Sequence, residues 1–198
     1  MKLLIIEGPD RCGKNTLIKN LTSQSDNVVI RHFGTAKGSN DHQKRAFQYD
    51  FFHKEFEMAS KRHNFDMKNL DRYPKDLWIW NRGHIGEFVY GRIYRNTSPE
   101  QWVLQMEKLF GFDLDPEVYL LLLHGDPEFL TKRDDGQSFT NKTEGRKKEI
   151  ESFMYGWQSS SILNKLKLSV TESTDGVISY KPQEIITKQV SDFLWDNK

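Results

Sequence analysis

A single cysteine, Cys12, leaves the chain without the means to form an internal disulfide, and a reducing, intracellular setting is the simpler expectation. An excess of either charge is also missing. Lys and Arg number 29 against 28 Asp and Glu, for a net charge of +1, and the basic residues are scattered. That balance argues against a nucleic-acid footprint and against an acidic tail. Long apolar runs are absent as well: Lys2 to Ile6 is far too short for a signal peptide, and nothing approaches the roughly 20 apolar residues of a membrane span. No internal repeat or low-complexity segment breaks the 198 residues. The expectation is one cytoplasmic domain over 1–198 with no membrane partner.

What is present is an alternation of short apolar runs with helical periodicity. Leu3 to Ile6, Val28 to Ile30, Leu77 to Trp80, Val118 to Leu123 and Leu166 to Val170 have strand length, and the fourth, the most continuous, reads as a central strand buried on both faces. Between them lie helical stretches. One runs from about His42 to Arg62, with Phe47, Phe51, Phe52, Phe56 and Ala59 largely on one face. Gly86 to Tyr94 is another, and Thr97-Ser98-Pro99-Glu100 opens a third that ends at Phe110. Asp126-Pro127-Glu128 caps a short helix ending near Arg133. Residues 134–146 carry no apolar periodicity and read as a mobile surface loop entering a helix with Ile150, Phe153, Met154 and Trp157 on one face. After the last strand come a loop and a closing helix from Pro182 to Trp195. The pattern predicts an α/β fold with a parallel five-stranded sheet covered by helices on both sides.

The chemistry begins where the first strand ends. Gly8-Pro9-Asp10-Arg11-Cys12-Gly13-Lys14-Asn15-Thr16 places a glycine loop between a strand and a helix start, where backbone N–H groups and the helix dipole attract phosphate. The spacing from Gly8 to Gly13-Lys14 matches the G-x-x-x-x-G-K phosphate loop, with Lys14 reaching the outer phosphates of ATP or GTP. The hydroxyl that normally follows the lysine and binds Mg²⁺ is Asn15 here, with Thr16 one position on. In a parallel sheet the ligand sits at the carboxyl ends of the strands, so His32-Phe33-Gly34 and Asn81-Arg82-Gly83-His84 should line the same crevice. Arg82 can fork across two phosphoryl oxygens, or pair with a carboxylate such as Glu87.

Gly8-Pro9-Asp10-Arg11-Cys12-Gly13-Lys14 resembles the phosphate loop of thymidylate kinases, which carry an aspartate and often an arginine at these two variable positions. Trp78-Ile79-Trp80-Asn81-Arg82, followed by Tyr90, is similar to that family's strand ending in Asp-Arg with an aromatic eight positions beyond the arginine. Met58-Ala59-Ser60-Lys61-Arg62 stands 19 residues before Asn81, near the family's Phe-x-x-x-Arg. Asp126-Pro127-Glu128, the loop, and a helix with Phe153 and Tyr155 follow the family's order, so the likeness spans most of the chain. His-Phe-Gly after the second strand is similar to phage-encoded members, which would work in a host cytoplasm.

The resemblance implies a three-layer P-loop NTPase fold with a mobile lid over about 134–146, and transfer of the ATP γ-phosphoryl to a deoxynucleoside monophosphate, dTMP first. Catalysis would fall to Lys14, Arg11 and Arg82. ATP would lie on Gly8, Cys12, Gly13, Lys14, Asn15 and Thr16, with Arg133, Lys142 or Arg146 closing from the lid. The acceptor would meet Asp10 at its sugar, Arg82 and Lys37 at its phosphate, Arg62 at the base edge, and Phe33 or Tyr90 against base or sugar. Mg²⁺ would come with ATP and touch Asn15, and family members pair as homodimers.

Several positions depart from the family pattern. Met58 replaces the stacking phenylalanine, Gly86 a serine, and Asn81 the aspartate of Asp-Arg, which removes a negative charge near the metal. These changes touch the acceptor base and the metal. They leave open a P-loop kinase for a nucleoside, a modified deoxynucleotide or a DNA base, and a nucleotide-binding protein without catalysis.

Overall fold

The computed structural model describes residues 1–24, 27–34, 36–68, 77–115, 117–136 and 138–195, with side chains described outside 63–68. Five strands form one wholly parallel sheet: β1 (Lys2–Glu7), β2 (Val28–His32), β3 (Leu77–Asn81), β4 (Val118–His124) and β5 (Asn164–Ser169), in the order β2-β3-β1-β4-β5. Side chains alternate across the sheet. Leu3 and Ile5 point into one core with Trp80, Leu120 and Leu122, while Leu4 and Ile6 point into the other with Ile79, Leu121 and Leu123. Both faces are therefore dry, and β1 and β4 read as unbroken apolar runs.

Helices cover each face. On the first lie α2 (Asp41–Lys68), α3 (Gly86–Tyr94), α4 (Glu100–Leu109) and α6 (Thr143–Ser159), through Phe52, Phe56, Phe88, Val103 and Phe153. On the second lie α1 (Lys14–Thr22), the short α5 (Pro127–Lys132) and α7 (Gln183–Trp195), through Leu17, Leu21, Leu130, Ile186 and Val190. These are the three layers the sequence predicts. Asp126 caps α5 as expected, its side chain accepting from the Phe129 N–H at 2.7 Å, with Pro127 just inside. Among the described residues, no helix is long and apolar enough to cross a membrane.

The segment after β5 differs from the expected loop. Thr171–Thr174 (β6) and Val177–Tyr180 (β7) pair as an antiparallel hairpin about Asp175-Gly176, both of which adopt positive φ. That is the backbone a two-residue I′ turn requires, and an Asp-Gly pair is its usual sequence sign. The segment 134–146 is also shorter as a loop than expected, because α6 begins at Thr143 and takes in Arg146.

Strand register sets the site. Asn81 pairs with Ile6 on one side and His32 on the other, so the ends of β1, β2 and β3 lie level. The Arg82 N–H continues the ladder to the Ile6 carbonyl (2.9 Å), and the Phe33 N–H to the Asn81 carbonyl (3.2 Å).

Candidate active site

The loop between β1 and α1 can be built with glycine only at its root. Gly8 has a φ of 139°, and a Cβ there would collide with the carbonyl oxygen of Leu123 on β4. At the other end Gly13 (φ 72°) turns the chain into α1 without any side-chain cap, and no acidic residue occupies the helix's first turn. The first N–H groups of α1 are thus left open to an anion. Lys14 is buried, and its ammonium donates back to the carbonyls of Gly8 (2.7 Å) and Pro9 (2.8 Å). Burial also lowers its pKa, which makes an incoming negative charge the more favourable partner.

Two arginines flank this loop, and both are left-handed: Arg11 at φ 70° and Arg82 at φ 68°. Side-chain-bearing residues seldom take that conformation, which stores strain of roughly 1 kcal/mol or more at each. Arg82 donates to Asp10 Oδ1 at 2.6 Å. Arg11 pairs with Asp135, from the loop preceding α6, and its carbonyl accepts from the Tyr180 hydroxyl at 3.0 Å. Of the two options open for Arg82, carboxylate pairing is what is seen, but with Asp10. Glu87 instead pairs with Arg95 in a buried contact.

Together these groups line a cavity of about 830 Å³ at the carboxyl ends of the strands. Asn15 and Thr16 stand on its floor beside Asn81, whose amide donates to Asn15 Oδ1 at 2.7 Å and approaches His32 Nδ1 at 2.9 Å. A second, smaller cavity of about 40 Å³ shares Phe33, Gly34 and Arg82 with the first and adds Gln48, Phe52, Glu87, Tyr90 and Arg95.

Parallel sheet order, glycine loop and paired cavities can be set beside solved structures. A thymidylate kinase from Ehrlichia chaffeensis superposes with a TM-score of 0.60 at 13% identity, over 98% of each chain. The YorR protein from Bacillus subtilis, solved in complex with phosphorylated GDP, gives 0.59 at 15% identity over 96% of this chain and 93% of that one. A thymidylate kinase from Candida albicans gives 0.58 at 16%, over 99% and 92%. The chain has the thymidylate kinase fold. No family model and no curated protein matches the sequence itself.

Within this fold the structure gathers most, though not all, of the residues the sequence singles out. Asp10, Arg11, Cys12, Gly13, Lys14, Asn15, Thr16, Phe33 and Arg82 line the larger cavity, and Tyr90 lines the smaller. Cys12 is fully buried, which pushes its thiol up to about 12 and leaves it a small apolar wall residue. Burial likewise holds the Tyr90 phenol far above its ordinary range.

Four expected residues are elsewhere. Lys37 is exposed, its ammonium 6.0 Å above the Phe47 ring, and Arg133 is exposed over the Phe129 ring at 5.2 Å; neither lines either of these two cavities. Arg62 lies on α2, 14 residues beyond Gln48, or about 21 Å along the helix axis, and lines neither cavity. A helix that leads into a parallel strand runs opposite to it, so only the first turns of α2 overhang the strand ends. His84 also leaves the crevice. It is buried, bonding Glu107 at 2.7 Å, and Glu107 accepts further from Ser160 and Ser161. Among the lid candidates, Arg146 is buried against Glu149 (2.8 Å) and Asp134 (3.3 Å).

Other residues join the site unannounced by the sequence reading. Asp135, Ser138, Tyr180, Lys181 and Gln183 complete the larger cavity, and the Asp175-Gly176 turn was the available sign for the hairpin that carries Tyr180. Glu7, the last residue of β1, is buried with one carboxylate oxygen accepting from the Gly86 N–H at 3.2 Å and the other without a partner. Burial raises its pKa to about 7, against the pull of His84 and Lys14.

A divalent cation of the kind ATP carries would find neutral oxygens here. Thr16 presents a hydroxyl, Asn15 an amide oxygen, and Asn81 Oδ1 is buried without a partner. Among the described residues no three His, Cys, Asp or Glu side chains cluster to hold a metal. This donor set suits a hard cation that keeps its waters and its phosphate ligands.

Proposed function

We propose that the protein is a nucleoside monophosphate kinase that moves the γ-phosphoryl of ATP to a deoxynucleoside monophosphate, with dTMP the leading acceptor. The observation that carries this reading is the convergence of Lys14, Arg11 and Arg82 on one cavity, with Arg82 shared by a second. A cation at the junction can face both a donor and an acceptor phosphate, whereas a phosphate-free acceptor would give Arg82 nothing to hold. The likeness to thymidylate kinases supports it.

In the transfer, an oxygen of the acceptor phosphate attacks the γ-phosphorus, and the bond from that phosphorus to the β-bridging oxygen breaks, leaving ADP. The protein's work is to hold the two in line and neutralise charge. Lys14 would exchange the Gly8 and Pro9 carbonyls for the β- and γ-phosphates lying on the loop from Gly8 to Thr16. Arg11 would turn from Asp135 to the moving phosphoryl. Arg82 would turn from Asp10 to the acceptor phosphate, releasing Asp10 to accept from the sugar hydroxyl. Phe33 and Tyr90 would pack on base or sugar. Mg²⁺, held by phosphate oxygens with Asn15 and Thr16 nearby, would supply further charge neutralisation. A homodimer in the cytoplasm completes the reading, as the resemblance implies.

The test is an acceptor panel: every deoxy- and ribonucleoside monophosphate with ATP and Mg²⁺, following ADP release. The expected result is fastest turnover with dTMP or another deoxynucleoside monophosphate. Response to nucleosides or DNA alone would remove the acceptor role of Arg82, and tight ATP binding without transfer to any nucleotide would overturn the enzyme reading.

A further inference from the structure

His32 is the last residue of β2, exposed on the wall of the larger cavity. Parallel register sets it beside Asn81, and Asn81 beside Ile6, so the three side chains share one face of the sheet. That is the face covered by α1, whose first turn carries Asn15.

The bonds along this row fix where the imidazole keeps its hydrogen. An amide nitrogen donates and does not accept. Of the two hydrogens on Asn81 Nδ2, one goes to Asn15 Oδ1 (2.7 Å) and the other to His32 Nδ1 (2.9 Å). Nδ1 therefore holds a lone pair, which excludes the charged ring and leaves the hydrogen on Nε2. With Nδ1 turned in to Asn81, the Nε2 edge is the one left for the cavity. The next two residues, Phe33 and Gly34, line both cavities, so His32 stands close to where the two spaces meet.

We propose that His32 is a catalytic residue of the transfer, its Nε2–H donating to an oxygen of the phosphoryl group as that group passes from donor to acceptor. The assignment rests on the kinase reading and deepens it. The hydrogen stays on Nε2 throughout: the bond draws charge from a phosphoryl oxygen, and no proton changes hands. Lys14, Arg11 and Arg82 must each leave a carbonyl or a carboxylate before they meet phosphate. His32 keeps its Asn81 bond, so its donor is aimed before the substrates arrive, the arrangement that favours a transition state. The amide at 81 gains a use in this way. An aspartate there could only accept, which would draw a hydrogen to Nδ1.

Two measurements on the full chain test the assignment. Proton–nitrogen correlation spectra of protein labelled at its imidazole nitrogens, with His32 assigned by its loss in His32→Asn, read which ring nitrogen carries the hydrogen. The expected form is Nε2–H, and a hydrogen on Nδ1 would overturn the assignment. Steady-state kinetics with ATP, Mg²⁺ and the fastest monophosphate acceptor then compare wild type with His32→Asn and His32→Gln, with unfolding temperature reporting that the fold is kept. An asparagine oxygen can accept from Asn81 as Nδ1 does, but the side chain ends short of the cavity. A glutamine amide can place an N–H near the position of Nε2. The expected result in His32→Asn is a kcat lowered about 10- to 100-fold, the worth of a hydrogen bond to a charged group. Both KM values should stay within about 2-fold of wild type, as for an interaction made in the transition state, and His32→Gln should recover part of the rate. Unchanged kcat in His32→Asn, a loss confined to KM, or a loss equally deep in His32→Gln would overturn the assignment. A wild-type protein that transfers to no monophosphate would instead sink the kinase reading, while the position of the ring hydrogen stays readable.

Discussion

The side-chain amide of Asn81 donates to the side-chain oxygen of Asn15 across 2.7 Å. The two amides that stand where the thymidylate kinase pattern expects a hydroxyl and an aspartate are therefore partners. An aspartate at 81 would face the Asn15 oxygen with another oxygen. A double-mutant cycle with Asn15→Ala and Asn81→Ala should give a coupling of about 1 kcal/mol in urea unfolding. Additive effects would mean the contact contributes nothing. Asn81→Asp alone should lower stability, and Asn15→Thr added to it should restore part of the loss.

Gly8 packed against β4 and Gly13 at the start of α1 set the loop's backbone, so removing the Lys14 side chain should leave its shape largely intact. Lys14→Ala is expected to lower kcat by roughly 10²- to 10³-fold, a typical cost for losing one preorganised charge at the transition state. Near-UV circular dichroism should match wild type. Retained turnover would remove the lysine from the phosphate site.

Arg11 reaches the larger cavity already paired with Asp135. A phosphate must displace that carboxylate, so Asp135→Asn should lower the KM for ATP by about 2- to 5-fold, given the modest strength of half-exposed ion pairs. Isothermal titration with a non-hydrolysable ATP analogue reads the same change as tighter binding. Weaker binding would show that Asp135 positions Arg11 rather than competing for it.

Glu7 sets a pH dependence. Its carboxyl titrates near 7 in the folded protein, above the ordinary value of about 4.5, because burial disfavours the charged form. The folded state then holds the proton more tightly than the unfolded chain. Its contribution is fully present below about pH 4.5 and is lost as pH rises through about 7. Urea unfolding at intervals from pH 5 to 8 should show wild type losing stability across that window relative to Glu7→Gln. Parallel curves for the two proteins would rule this out.

Much of this was legible in the residues. Leu3 to Ile6 and Val118 to Leu123 announce buried parallel strands because helices cover both faces, and the glycine spacing places the phosphate loop between strand and helix. Arg62 lines neither cavity, and spacing counted to Asn81 does not say how much of the interval is helix. α2 runs to Lys68, and its ligand-facing end is its beginning. Gln48 carries no sign in a sequence, since only the fold puts it on the wall of the smaller cavity. Arg146 looked like a lid cation for the same reason: its two carboxylate partners, Asp134 and Glu149, are identifiable only in three dimensions.

The bond from the Tyr180 hydroxyl to the Arg11 carbonyl joins positions 169 residues apart. Chains leave the ribosome amino end first. The loop between β1 and α1 is thus made well before the hairpin that supplies one of its struts. A nascent chain halted before the hairpin would have the loop's full sequence but not the hydroxyl that props its left-handed arginine. A chain cut short near residue 170 would carry the glycine loop without that support.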